Sequence, residues 1–192
     1  MKDNIVTPTD ILDALNGLIT QNKSKGGVLL IKLHGLERIG TISGARFSEH
    51  AISELVSQIH NAVRPNDTVL RTGRFEFIIL LTDILNQGHA ILAASKIADI
   101  LNQPILLKKQ SRKHLFSIGI ALTPQDTCDP EELFRYAELA AIASQLTNTP
   151  YKLYSSEKLD DVITDWDICD IGYSICTKYE FSIGCICIAI ID

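Results

Sequence analysis

Apolar positions recur at three- and four-residue intervals in ILDALNGLITQ, directly after Thr9-Asp10. That spacing predicts a helix, with Thr9 or Asp10 as its N-cap. The polar NKSKGG that follows reads as a loop. VLLIKL (28–33) is a mostly apolar run with β-branched content, which predicts a buried strand. GLERIGTISG is a short helix-like piece closed by glycines. FSEHAISELVSQIHNAV (47–63) carries an amphipathic helical pattern, and Arg64-Pro65 ends it, since proline cannot continue a helix. Arg64-Pro65-Asn66-Asp67 reads as a turn. TVLRT and FEFIILL are two strands around Gly73-Arg74 and predict a hairpin. A second amphipathic helix spans 89–101, and ILLKK and HLFSIGIALT add two strands. Asp129-Pro130-Glu131-Glu132 opens a long helix, with proline at its first position and acids at its positive end. YKLYS is a last strand.

The order is strand, helices, hairpin, helix, hairpin, helix, strand. It predicts an α+β domain: a central, mostly antiparallel sheet flanked by helices. The chain divides into a lead-in helix and loop (1–26), the main domain (27–155) and a tail (156–192). The tail changes character, from acidic EKLDDVITDWDICD around Trp166 to an ending rich in Cys and Ile. It is expected to be either the remnant of a truncated longer protein or an extra strand or apolar patch covering the sheet or a partner.

Composition narrows the classes. Hydrophobic residues are 46% and charged residues 21% of the chain, the balance of a globular protein with a core. A formal net charge of −5 gives no electrostatic footprint for nucleic acid. The longest apolar run, 181–191, is shorter than the roughly 20 residues that a membrane helix needs. Met1-Lys2-Asp3-Asn4 leads into a polar segment, so no signal peptide is expected. The five cysteines form no CxxC pair, which favours reduced thiols and a cytoplasmic location over a zinc site. His34, His50, His60, His89 and His114 are scattered without ligand spacing and read as surface or partly packed side chains.

Several words, in this order, carry a resemblance. RPNDTVLRTGRFEF (64–77), SIGIALTP (117–124), LFRYAELAAIAS (133–144) and VLLIKLHGLERI (28–39) together resemble the GGDEF family of diguanylate cyclases, over about residues 8–155. GRFEF sits where the signature GGDEF would. The resemblance implies a ferredoxin-like palm. It also implies the chemistry of joining two GTP molecules into cyclic di-GMP, a phosphoryl transfer served by divalent metal, metal-binding carboxylates and phosphate contacts.

The residues at the matching positions depart from that chemistry. The family's metal-binding Asp on the first strand matches Lys32, and the second metal carboxylate matches Phe75. The signature's second Gly matches Arg74, the base-reading Asn and Asp match Gly40 and Thr41, and the phosphate Lys matches Gln145. Of the degenerate signature Gly73, Arg74, Phe75, Glu76 and Phe77, only Gly73 and Glu76 remain as in the family. A cation at position 32 repels Mg²⁺. The expectation is therefore a degenerate domain that is not an enzyme and takes no Mg²⁺. Lys32 reads either as a phosphate contact without metal or as a stem covering core with its head in water. Phe75 either folds back onto apolar neighbours or presents a contact to a partner.

The resemblance also implies an inhibitory RxxD site before the signature, and Arg64 and Asp67 stand at the matching separation. In the family these residues hold cyclic di-GMP. A turn explains the same four residues without a ligand. The family's second Arg, from the following helix, has no counterpart in 89–101 except Lys96. The expected function is a regulatory or interaction module in cyclic di-GMP signalling, with a protein partner or self-association. The alternatives are a ligand-free structural or dimerisation domain and, less favoured by these residues, an active cyclase.

Overall fold

The computed structural model describes residues 5–21, 25–34, 45–102 and 116–155, with the side chains of 45–49 and 51 excepted. The elements are α1 (Pro8–Gln21), β1 (Gly26–Leu33), α2 (Ala45–Ala62), β2 (Thr68–Gly73), β3 (Glu76–Leu81), α3 (Gln87–Leu101), β4 (Phe116–Thr123), α4 (Pro130–Leu146) and β5 (Tyr151–Leu153). The segments predicted at 35–44 and 105–109, residues Gly40, Thr41 and His114, and the tail 156–192 lie outside the described residues.

The strands form one sheet in the order β2-β3-β1-β4-β5. The β2·β3, β3·β1 and β1·β4 pairs are antiparallel and β4·β5 is parallel. This is the α+β architecture expected from the sequence.

β1 is apolar almost throughout because both of its faces are covered. Leu29, Ile31 and Leu33 join one core with Ile52, Leu55 and Ile59 of α2 and Ile97 and Leu101 of α3. Val28 and Leu30 join the other, with Ile11, Leu15 and Leu18 of α1 and Leu133, Ala137 and Ala141 of α4. Fully burying a side chain such as Leu15 contributes about 1.5–3 kcal/mol.

Three local expectations are corrected. The N-cap of α1 is Thr7, not Thr9 or Asp10. Thr7 Oγ1 accepts from Asp10 N at 3.3 Å, and Asp10 Oδ2 accepts from Thr7 N at 2.9 Å. This reciprocal pair leaves Pro8 at the first helical position, where its missing N–H costs nothing. β1 begins at Gly26 rather than Val28, because Gly26 and Gly27 still pair with Thr123 and Leu122 of β4. The hairpin turns at Arg74-Phe75 rather than Gly73-Arg74, since Gly73 pairs with Glu76.

At the other end of the chain the reading of the last long helix holds. Asp129 caps α4, accepting from Glu132 N at 2.9 Å, with Pro130 behind it.

α4 lies very close to the sheet. A Cβ added at Gly119 of β4 would overlap the backbone atoms Ala137 O and Ala141 N. Only hydrogen at that position lets the helix backbone approach so near. This contact sets where the middle of α4, including Glu138, stands over the strands.

Candidate functional site

Two places gather the polar residues singled out by the sequence. The first is the end of the sheet beside the β2–β3 turn. On β1, even-numbered residues face α1 and α4, so Lys32 follows Val28 and Leu30 onto that face, and His34 lies just past the strand. Lys32 is directly opposite Glu76 of β3 and Ser117 of β4. Lys32, Glu76 and Ser117 thus make a polar row across three strands, beside the apolar Val28, Leu30 and Ile78 of the same face.

α4 closes over this row. Lys32 Nζ donates to Glu138 Oε1 at 3.0 Å, and the two side chains are 23% and 16% exposed. The reading of Lys32 as a stem over core with a water-facing head is therefore corrected in part: its head meets a carboxylate. Glu76 is buried, and Thr72 Oγ1 donates to its Oε1 at 3.4 Å. His34 Nε2 lies 2.9 Å from Ser117 Oγ. Burial first, and then the Lys32 charge, hold the His34 imidazole below its usual range.

The native state thus resists a proton that the unfolded chain accepts near pH 6.5, so His34 adds nothing to pH dependence well above that value. As pH falls below it, stability is lost down to the lowered native value. Thermal melts between about pH 7.5 and 5.5 should therefore show a smaller decline for His34→Gln than for the wild-type chain.

The turn itself is braced from within. Arg71 donates from Nε to Gly73 O at 3.2 Å and from its guanidinium to Arg74 O at 3.0 Å. Arg74 is exposed and lies 5.1 Å from the centroid of the Phe75 ring. Phe75 is half-buried and packs against the core of the α2/α3 face, while its carbonyl accepts from Leu33 N at 2.8 Å. Of the two fates considered for Phe75, folding back is the one observed.

The second place is a shallow cleft of about 60 Å³ between the end of α2, the turn after it and α3. Arg64, Asp67, His89 and Lys96 line it, with Leu81, Ile84 and other apolar residues between them. The fold thus brings Lys96 to the same cleft as Arg64 and Asp67. Among the described residues neither the Arg64 guanidinium nor the Lys96 ammonium has an ion-pair partner. Asp67 serves the turn, because its two oxygens accept from Arg64 N and Thr82 N, both at 3.1 Å. Those bonds close the turn and tie it to the end of β3. His89 Nδ1 is buried there without a hydrogen-bond partner.

Gln145 is exposed in the last turn of α4. Among the described residues no group of three or more His, Cys, Asp or Glu is arranged to hold a metal ion. No described helix is long and apolar enough to cross a membrane.

Sequence reading missed Glu138 as the partner of Lys32, 106 residues away, and missed His34, Ser117 and His89 as members of these sites. One signal was available for the first. A lysine inside an apolar strand demands a counter-charge, although nothing along the chain says which.

Comparison with known proteins gives consistent matches. The family model described as "Diguanylate cyclase, GGDEF domain" matches residues 9–149. The signaling protein YkoW of Bacillus subtilis is 29% identical over 130 residues, 67% of this chain and 16% of YkoW. The bifunctional diguanylate cyclase/cyclic di-GMP phosphodiesterase MucR of Pseudomonas aeruginosa is 29% identical over 113 residues, 59% of this chain and 16% of MucR. The chain thus spans about a sixth of the length of these two relatives. Among solved structures, the GGDEF domain of PA1120 (YfiN or TpbB) from Pseudomonas aeruginosa superposes with a TM-score of 0.69 at 22% identity, over 80% of this chain and 98% of that one.

Proposed function

The chain belongs to the diguanylate cyclase, GGDEF-domain family, and on that premise we propose that it is a cyclase-silent member that binds cyclic di-GMP in the cleft at Arg64. The observation that carries the binding half is the convergence of Arg64, Asp67 and Lys96 on one cleft. Two cations without protein partners among the described residues suit the two phosphodiesters of such a ligand. Apolar residues of the same cleft, among them Leu81 and Ile84, can take the face of a base.

The silence of the chemistry is supported at the sheet end. A divalent cation does not fit the residues present there. The Lys32 ammonium already stands 3.0 Å from Glu138, directly across from Glu76, and supplies the positive charge itself. Phe75, at the position of the second metal carboxylate, packs against the core. Losing one electrostatic contact costs about 10²–10³ in rate, and here the carboxylates that would hold the metal are themselves replaced.

A ligand-free structural or dimerisation domain is the second reading. What favours it is Asp67, whose two oxygens already serve the turn.

Calorimetry with cyclic di-GMP and a GTP turnover assay with Mg²⁺ or Mn²⁺ separate the readings. The expected result is saturable heat with cyclic di-GMP, weakened by about 10–100-fold in Arg64→Ala, because a charge-assisted contact contributes about 1.5–3 kcal/mol. No product above a protein-free blank is expected. Product would overturn the silent reading, and absence of heat would leave the scaffold.

A further inference from the structure

His89 stands in the first turn of α3, where its backbone N–H donates to Asn86 O at 3.1 Å. The Nδ1 atom is buried against the cleft without one. Buried ring nitrogens are normally satisfied, and an orphaned one in a cleft marks a place where an incoming group restores the missing bond.

The charged and titratable groups facing the cleft can be named from every element around it. The end of α2 and its turn give Arg64 and Asp67, α3 gives Lys96, and β3 and the segment after it give only the apolar Leu81 and Ile84. Asp67 has its oxygens engaged by Arg64 N and Thr82 N, and it makes no hydrogen bond to His89 Nδ1. No carboxylate therefore satisfies Nδ1, and two cations share its cleft. An anion with several acceptor oxygens is the chemistry that answers this set.

We propose that His89 couples ligand binding in this cleft to proton uptake: the imidazolium donates from Nδ1 to a phosphodiester oxygen, so cyclic di-GMP binds more tightly as the pH falls. This rests on the reading of the cleft as the cyclic di-GMP site and adds its regulation. A neutral imidazole has one donor and one acceptor nitrogen, whereas the imidazolium has two donors. Only the protonated ring is certain to offer Nδ1–H to an anion. Histidine is also the side chain whose charge changes between about pH 5 and 8. The bound anion favours the charged ring, and by linkage the charged ring favours the anion.

The test is calorimetry of the whole chain with cyclic di-GMP at about pH 5.5, 6.5 and 7.5, in two buffers of different ionisation enthalpy. The wild type is expected to bind up to about tenfold tighter at the lowest pH, which corresponds to one pH unit of linkage, and to take up a proton on binding. His89→Gln keeps a hydrogen-bonding side chain without the titration. It is expected to bind at all three pH values with one affinity and no proton uptake. Wild-type binding with the same affinity throughout, or a dependence that survives in His89→Gln, overturns the role of His89 while leaving the cleft as the site. Absence of heat from the wild type at every pH overturns the site itself, and the proton linkage with it.

Discussion

Gly119→Ala is expected to destabilise the domain by about 3 kcal/mol or more. The new Cβ would run into Ala137 O and Ala141 N, both backbone atoms of α4. A side chain can rotate away from such a contact, but a helix backbone cannot. α4 must lift from β4, and Leu133, Ala137 and Ala141 lose their contact with Val28, Leu30 and Ala121. Overpacking in a core costs about 1–3 kcal/mol and occasionally more. This case belongs at or above the upper end, because the clash falls on main chain. Urea unfolding or a thermal melt measures it, with a fall of roughly 6–12 °C for 3 kcal/mol in a domain of this size. Gly27→Ala is the control. Its Cβ meets Leu122 Cδ2 at 3.2 Å and Ile84 Cδ1 at 3.4 Å, the ends of flexible side chains, so a much smaller loss is expected. Equal losses for the two variants would show that the close approach of α4 is not what position 119 protects.

The second large effect concerns the Lys32–Glu138 ion pair under α4. Lys32→Met should destabilise by about 2 kcal/mol, because it leaves the mostly buried Glu138 carboxylate without its cation. Glu138→Leu should also destabilise, though less, because the ammonium then keeps only Glu76 and Ser117 across the neighbouring strands. The double variant Lys32→Met with Glu138→Leu should cost less than the sum of the two singles, with a coupling of about 1–2 kcal/mol, because neither charge is then orphaned. Denaturant midpoints for the four proteins give the cycle directly. Strict additivity would mean that the 3.0 Å contact carries no energy and that Lys32 is held by something else. The same cycle bears on chemistry. If the ammonium is fixed by Glu138, it cannot swing aside to admit a cation without breaking that bond.

These effects differ in how far they were readable along the chain. The elements were, because they rest on local causes. Apolar spacing marked α1, α3 and α4. Proline at positions 65 and 130 marked an end and a beginning, and the two apolar runs around Gly73 marked a hairpin. The antiparallel-rich sheet followed from their order. The cap of α1 was misplaced by two or three residues because Thr9 and Asp10 are as good capping types as Thr7. Only the position of Pro8 and the reciprocal Thr7–Asp10 bonds decide among them.

By itself, the sequence determined the α+β class, the family resemblance and the presence of a lysine inside an apolar strand and a phenylalanine in a hairpin turn, since each depends on residue type and order. The tertiary structure alone decided what those residues do. Lys32 meets Glu138 because the pleat puts both on one side of β1 and Gly119 lets α4 come close. Phe75 turns inward because the α2/α3 core reaches the tip of the hairpin. His89 and Lys96 share a cleft with Arg64 because α3 folds back beside the end of α2. Charges and rings act over a few ångströms of space, and separation along the chain says nothing about which of them the packing will bring within that distance.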